Sequence, residues 1–183
     1  MRDAMDNQDT LLEERVDPAV DATPPGTPFR RIDHIALAVH DLDQAIYLFR
    51  NVLGFELKRR LHVKGRRTGM ISAEMEGNGL KFVLCQGTES ESQVSQLIRN
   101  YGAGVAHIAL EVDDVDSTVD DLKDRGLSFD TTVIRGAGLT QAFSTRCTNS
   151  GLSFEIIRRD GQEGFLESNV QQLFDQLEQA GAY

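Results

Sequence analysis

The sequence has no tryptophan, two cysteines and four prolines in 183 residues. Cys85 and Cys147 are too few for a disulfide framework, and reduced thiols in a cytoplasmic protein are the simple expectation. No apolar run approaches the ~20 residues of a membrane-spanning helix. The N-terminus is acidic and lacks an apolar core, so it does not read as a signal peptide. Cations are scarce too: 19 Lys and Arg stand against 29 Asp and Glu, a net charge of −10. A general nucleic-acid binder needs a basic face, so neither nucleic acid nor membrane is an expected partner. What remains is a globular composition, 40% hydrophobic and 26% charged, in a chain long enough to bury one real core.

All four prolines fall within residues 1–28, together with seven acids and two arginines. A stretch of that kind buries too little apolar surface to offset its ordering entropy, and a disordered tail is expected there. The rest, 29–183, reads as a single domain that repeats itself. Asp33-His34-Ile35-Ala36-Leu37-Ala38-Val39 returns as Ala106-His107-Ile108-Ala109-Leu110-Glu111-Val112. Each copy is an alternating strand followed by aspartates suited to capping a helix and by a helix that stops at glycine, Gly54 or Gly126. Three alternating stretches follow each helix: Glu56–Val63, Gly69–Glu76 and Leu80–Gln86, then Ser128–Ile134, Leu139–Arg146 and Leu152–Arg158. The unit is βαβββ, over 29–88 and again over 103–160, joined by a linking helix within 89–102. A further amphipathic helix is expected over 164–181.

The expected fold is therefore α+β. Paired βαβββ modules form a curled mixed sheet around a metal cavity, with a C-terminal helix beside it. Alternation places Ile35, Leu37 and Val39 on one side of the first strand and His34, Ala36 and Ala38 on the other. The bulky aliphatics belong under the helix, so the histidine looks into the cavity between small neighbours. His107 follows the same logic in the second copy. In the last strand Glu155 alternates against Phe154 and Ile156. Two imidazoles and one carboxylate suit a divalent first-row metal with open coordination positions. A histidine is also a common core residue; two at symmetric positions beside an inward carboxylate favour ligation.

These segments resemble the vicinal-oxygen-chelate, or glyoxalase-type, superfamily. Tyr101-Gly102-Ala103-Gly104-Val105-Ala106-His107-Ile108-Ala109-Leu110 is similar to the catalytic half of the 4-hydroxyphenylpyruvate dioxygenases. So is Phe154-Glu155-Ile156-Ile157-Arg158-Arg159 followed by Gly164-Phe165. The resemblance covers residues 30–180. It implies that His34, His107 and Glu155 bind Fe(II), with Co, Ni, Mn or Zn as other metals the set accepts. It also implies a 2-oxo acid and O₂ as reactants, Gln141 and Gln93 as catalytic polar groups, and Ser72, Phe143, Phe165 and Cys85 as substrate-binding positions. Ala106 and Cys85 depart from the family, which carries glutamine and asparagine there, so the resemblance does not fix the side chain of the acid.

A second class stays open. Ile32-Asp33-His34-Ile35-Ala36-Leu37-Ala38-Val39 also resembles methylmalonyl-CoA epimerase. An epimerase or glyoxalase moves a proton at carbon, usually with two opposed carboxylates. The second is expected on Leu80–Gln86, at the inward position, which is Val83. Valine is neither base nor ligand, which favours an oxygenase. A non-catalytic small-molecule binder is the third class; such members of the fold generally lack the metal ligands present here. The basic run Arg59–Arg67 reads as a solvated hairpin or as an attractor of anions at the cavity mouth. Pairing of two chains into a homodimer is left open.

Overall fold

The computed structural model describes residues 26–65, 67–136 and 138–161, together with 171 and 176. The expected tail up to residue 25, Phe165 and, apart from Gln171 and Gln176, the rest of the expected C-terminal helix lie outside the described residues.

Eight strands form one mixed sheet: β1 (Arg31–Ala38), β2 (Glu56–Lys64), β3 (Gly69–Gly77), β4 (Leu80–Gly87), β5 (Gly104–Glu111), β6 (Ile134–Gly136), β7 (Leu139–Phe143) and β8 (Phe154–Arg159). The helices are α1 (Leu42–Tyr47), which a π-helical turn over Leu48–Val52 extends, α2 (Gln93–Tyr101) and α3 (Val115–Asp124). The strand order is β2-β3-β4-β1-β5-β8-β7-β6. It reads alike from both ends. In one module β1 runs parallel to β4, in the other β5 runs parallel to β8, and β1 and β5 join the modules as an antiparallel pair. The sheet curls into a half-barrel.

Local chemistry explains the crossovers. Asp41 Oδ1 accepts the Gln44 N–H at 2.9 Å and Asp114 Oδ1 accepts the Ser117 N–H at 2.8 Å, so each module caps its helix in the same way. Gln86 on β4 adds a second acceptor, taking the Leu42 N–H at 2.7 Å. Gly54 and Gly126 leave their helices at φ +80 and +97, a region open to glycine.

The apolar side chains divide by face. Leu42, Ile46, Phe49, Ala73, Met75 and Leu84 pack under α1, and Val112, Val115, Val119, Ala142 and Ile156 under α3. The opposite, concave face is lined from both modules by Ala36, Val63, Val83, Cys85, Ala109, Leu139 and Ile157. Leu37 and Val39 go with the α1 cluster, as alternation requires.

One expected strand is largely replaced. Over Ser128–Ile134 there is only an isolated bridge, Phe129 to Ser144, and regular pairing begins at Ile134. A side chain takes over one of the ladder's partners: Thr131 Oγ1 accepts the Phe143 N–H at 2.9 Å, and a Thr145 Oγ1 to Asp130 bond of 2.6 Å ties the two segments together beside it.

Candidate metal centre

The β1–β5 ladder contains two register shifts. One falls between Ile32 and His34; the other lies opposite His107 and Val105. The residues skipped are Asp33 and Ala106, each the one before a histidine, so each module bulges at the equivalent place. Bulges re-aim side chains. Here Asp33, which strict alternation would send to the other face from His34, places its carboxylate against the His34 ring.

Ala109 pairs with His34 on one side and with Glu155 on the other. Its small side chain lets both reach across it. Ala36 pairs with His107. The result is convergence: His34, His107 and Glu155 each offer a ligand atom, and these atoms lie within 4.8 Å of one another. His34 Nε2 is 3.2 Å and His107 Nε2 3.4 Å from Glu155 Oε2. The two rings meet edge-on with centroids 5.5 Å apart. His34 is 2% and Glu155 1% exposed. Neither Glu155 oxygen has a hydrogen-bond partner among the described residues.

Electrostatics follow from the geometry. Burial alone would raise the Glu155 carboxyl, but the contacts of His34 and His107 together outweigh it and bring the group down to about 2. Burial likewise disfavours charged His34, yet the Glu155 and Asp33 carboxylates hold its pKa above the ordinary value. His107 falls below the ordinary histidine value, burial being the main cause. A charged carboxylate beside two imidazole nitrogens is a donor set that fits a divalent cation.

Of the expected pocket residues, Gln141 and Phe143 share the concave side of β7 with Leu139. Phe143 pairs with Glu155, and its ring meets His107 edge-on at 5.1 Å. Ser72 and Cys85 are cross-strand partners on β3 and β4, both buried. Burial pushes the Cys85 thiol up to about 12, so it is a neutral wall residue rather than a nucleophile. Gln93 is buried at the first turn of α2, next to Val94, which packs on the concave cluster. His40 is exposed. The described residues of the basic run form the end of β2 and the turn toward β3, where Arg60 pairs with Asp43.

Sequence reasoning missed two groups. Asp33 Oδ1 lies 2.8 Å from His34 Nδ1, and Arg159 clamps the same carboxylate through Nε at 2.7 Å and Nη2 at 2.8 Å. Only the bulge reveals this. The second is Glu74, buried on β3 on the side of Ser72 and paired in register with Val83. Alternation from Ser72 would have found it. Val83 therefore denies a second carboxylate to β4 alone, and the neighbouring strand brings one to the same face. Arg59 Nε lies 3.8 Å from Glu74.

This chain is 28% identical over 184 residues to Hemolysin VllY of Vibrio vulnificus and 27% identical over 184 residues to 4-hydroxyphenylpyruvate dioxygenase of Pseudomonas aeruginosa. Each match covers 81% of this chain and 52% of the relative, so the chain spans about half the length of these curated relatives. Among solved structures, a variant of 4-hydroxymandelate synthase from Streptomyces coelicolor shares the fold, with a TM-score of 0.74 and 22% identity over 86% of this chain and 56% of that one. A methylmalonyl-CoA epimerase variant from the same organism gives a TM-score of 0.61 and 27% identity over 73% of this chain and 99% of that one. Residues 31–149 match the family described as Glyoxalase/Bleomycin resistance protein/Dioxygenase superfamily. With that match, the repeated βαβββ modules and the half-barrel they build, the chain belongs to the glyoxalase/bleomycin resistance protein/dioxygenase superfamily.

Proposed function

We propose that this chain is a non-heme Fe(II) dioxygenase acting on a 2-oxo acid, with His34, His107 and Glu155 as the metal ligands. The observation that carries the reading is the Glu155 carboxylate, buried, without a hydrogen-bond partner among the described residues and facing two imidazole nitrogens. A buried charge in that state is costly unless a cation compensates it. Two imidazoles and a carboxylate are the donor set of the facial triad, which suits Fe(II) and also accepts Co, Ni, Mn or Zn. Bound there, Fe(II) supplies O₂ activation and positions for the two oxygens of a 2-oxo acid.

The chain's own groups do the rest. Phe143 packs against the His107 ring and keeps its imidazole aimed at the site. Gln141, buried on the same side of β7, offers an amide N–H donor to the substrate's carboxylate or keto oxygen. Gln93 and Ser72 are the other buried polar groups assigned to the substrate. Val83, Leu139 and Ile157 make an apolar wall that keeps bulk water from the reacting atoms.

The test is O₂ uptake and CO₂ release by metal-free protein reloaded anaerobically with Fe(II), against aryl and branched aliphatic 2-oxo acids. Uptake that disappears in His107→Ala supports the reading. Stoichiometric metal binding without uptake for any acid overturns it.

Glu74 favours a second reading, a metal-dependent epimerase or glyoxalase-type isomerase, because it supplies a second carboxylate on the concave face. Acyl-CoA esters and hemithioacetals are the substrates to try. Under this reading Glu74→Gln abolishes solvent-proton exchange at the substrate carbon.

A further inference from the structure

Resting on the metal-site reading above, we propose that Asp33 and Arg159 are positioning residues that fix His34 as the Nδ1–H tautomer and so aim its Nε2 at the metal. Four observations carry this. The bulge in β1 turns Asp33 onto the His34 side of the strand. Asp33 Oδ1 is 2.8 Å from His34 Nδ1, while Nε2 of the same ring is the atom facing Glu155. Arg159 holds the Asp33 carboxylate in a two-point grip, leaving it no freedom to rotate away. The Asp33 side chain is 2% and that of Arg159 10% exposed, so water does not compete for either bond.

The chemistry of the groups makes the arrangement directional. A carboxylate held by arginine is only an acceptor, so the ring nitrogen beside it must carry the proton. Neutral His34 then has its lone pair on Nε2. Arginine is always a donor and its planar fork matches the carboxylate, so lysine does not reproduce the grip. Arg159 comes from the end of β8, four residues after Glu155. The strand that supplies the carboxylate ligand therefore also supplies the group that orients a histidine of the other module. Such outer partners of a ligating histidine typically change metal affinity by about 10–100-fold when lost.

The discriminating variant is Asp33→Asn, which keeps shape and burial. Arg159 donates to both Asp33 oxygens, so in the variant one of its donors meets the amide NH₂: the two-point grip is broken and the negative charge beside His34 Nδ1 is gone. Co(II) titration of the metal-free protein, followed by absorbance, is expected to give a Kd at least tenfold weaker in Asp33→Asn than in wild type. Near-UV circular dichroism checks that the variant is folded. In parallel, ¹⁵N shifts of histidine-labelled wild type loaded with Zn(II) are expected to show His34 protonated at Nδ1 and bare at Nε2. A folded variant with the wild-type Kd overturns the proposal, and so does Zn(II)-loaded wild type protonated at Nε2. If Asp33→Asn does not fold, the wild-type shifts decide. Failure of wild type to bind Co(II) or Zn(II) at all instead overturns the metal-site reading beneath it.

Discussion

His34 and Glu155 face one another across Ala109, which pairs with both in the sheet. The two ligand candidates come from opposite modules, and the gap between them is the width of one alanine side chain.

Filling that gap should break the site. Ala109 is fully buried, so Ala109→Leu forces several methylenes into packed space, a change that typically costs about 1–3 kcal/mol. Thermal unfolding is expected to shift down accordingly. Metal binding, followed by elemental analysis after dialysis, is expected to disappear even in the folded fraction, because His34 and Glu155 no longer converge.

Wild type should hold one divalent ion per chain. Glu155→Gln keeps the shape of the side chain but removes its charge. Its metal affinity is expected to fall by more than about 100-fold, beyond the loss usual for an outer-shell change. Isothermal titration with Co(II) measures both the stoichiometry and the loss.

The metal-free protein should lose stability in acid in a defined window. Glu155 is depressed from 4.5 to about 2, so its contribution is fully present above about pH 4.5 and is lost as pH falls toward 2. Asp33 is depressed as well, by the Arg159 and His34 contacts that outweigh its burial, and its contribution is lost in the same direction. Unfolding midpoints of wild type and Glu155→Gln in EDTA are therefore expected to differ at pH 5 and to converge near pH 2. A constant gap across that range counts against a charged Glu155 in the folded protein.

Phe143 is 5% exposed and touches the His107 ring. Phe143→Ala is expected to cost about 3–5 kcal/mol, the range for a buried aromatic. Phe143→Leu, which keeps most of the volume, should retain the fold and lose the edge contact. Urea unfolding separates the two, and the ring signals of His107 in NMR spectra should broaden in the leucine variant as the imidazole gains freedom.

Gly87 ends β4 where α2 begins. A Cβ there would run into Ser92 Oγ, which caps that helix, and into Ser95 Oγ, to which Ser92 donates. Gly87→Ala is expected to loosen the first turn of α2, where Gln93 sits. Hydrogen exchange over residues 92–97 should rise several-fold while exchange in β8 stays unchanged.

Much of this molecule was written in its sequence. The repeat around His34 and His107, the capping aspartates and the stop glycines are local signals, and they determined two βαβββ modules. Period-two alternation put His34, His107 and Glu155 opposite the bulky aliphatics, because a strand whose other face packs on a helix has no choice of side. The same signals failed over 128–134, where the Thr131 hydroxyl takes the Phe143 N–H in place of a regular ladder and alternation says nothing of it. Tertiary structure alone decided the rest. That Ala109 separates His34 from Glu155 depends on the register of three strands distant in sequence. That Asp33 reaches His34 depends on a bulge set by the pairing of β1 with β5. That Arg159 then grips Asp33 depends on the curl that brings the end of β8 back to the start of β1. Local chemistry fixes the face of a side chain. Which groups meet on that face is fixed by pairing between segments up to 126 residues apart.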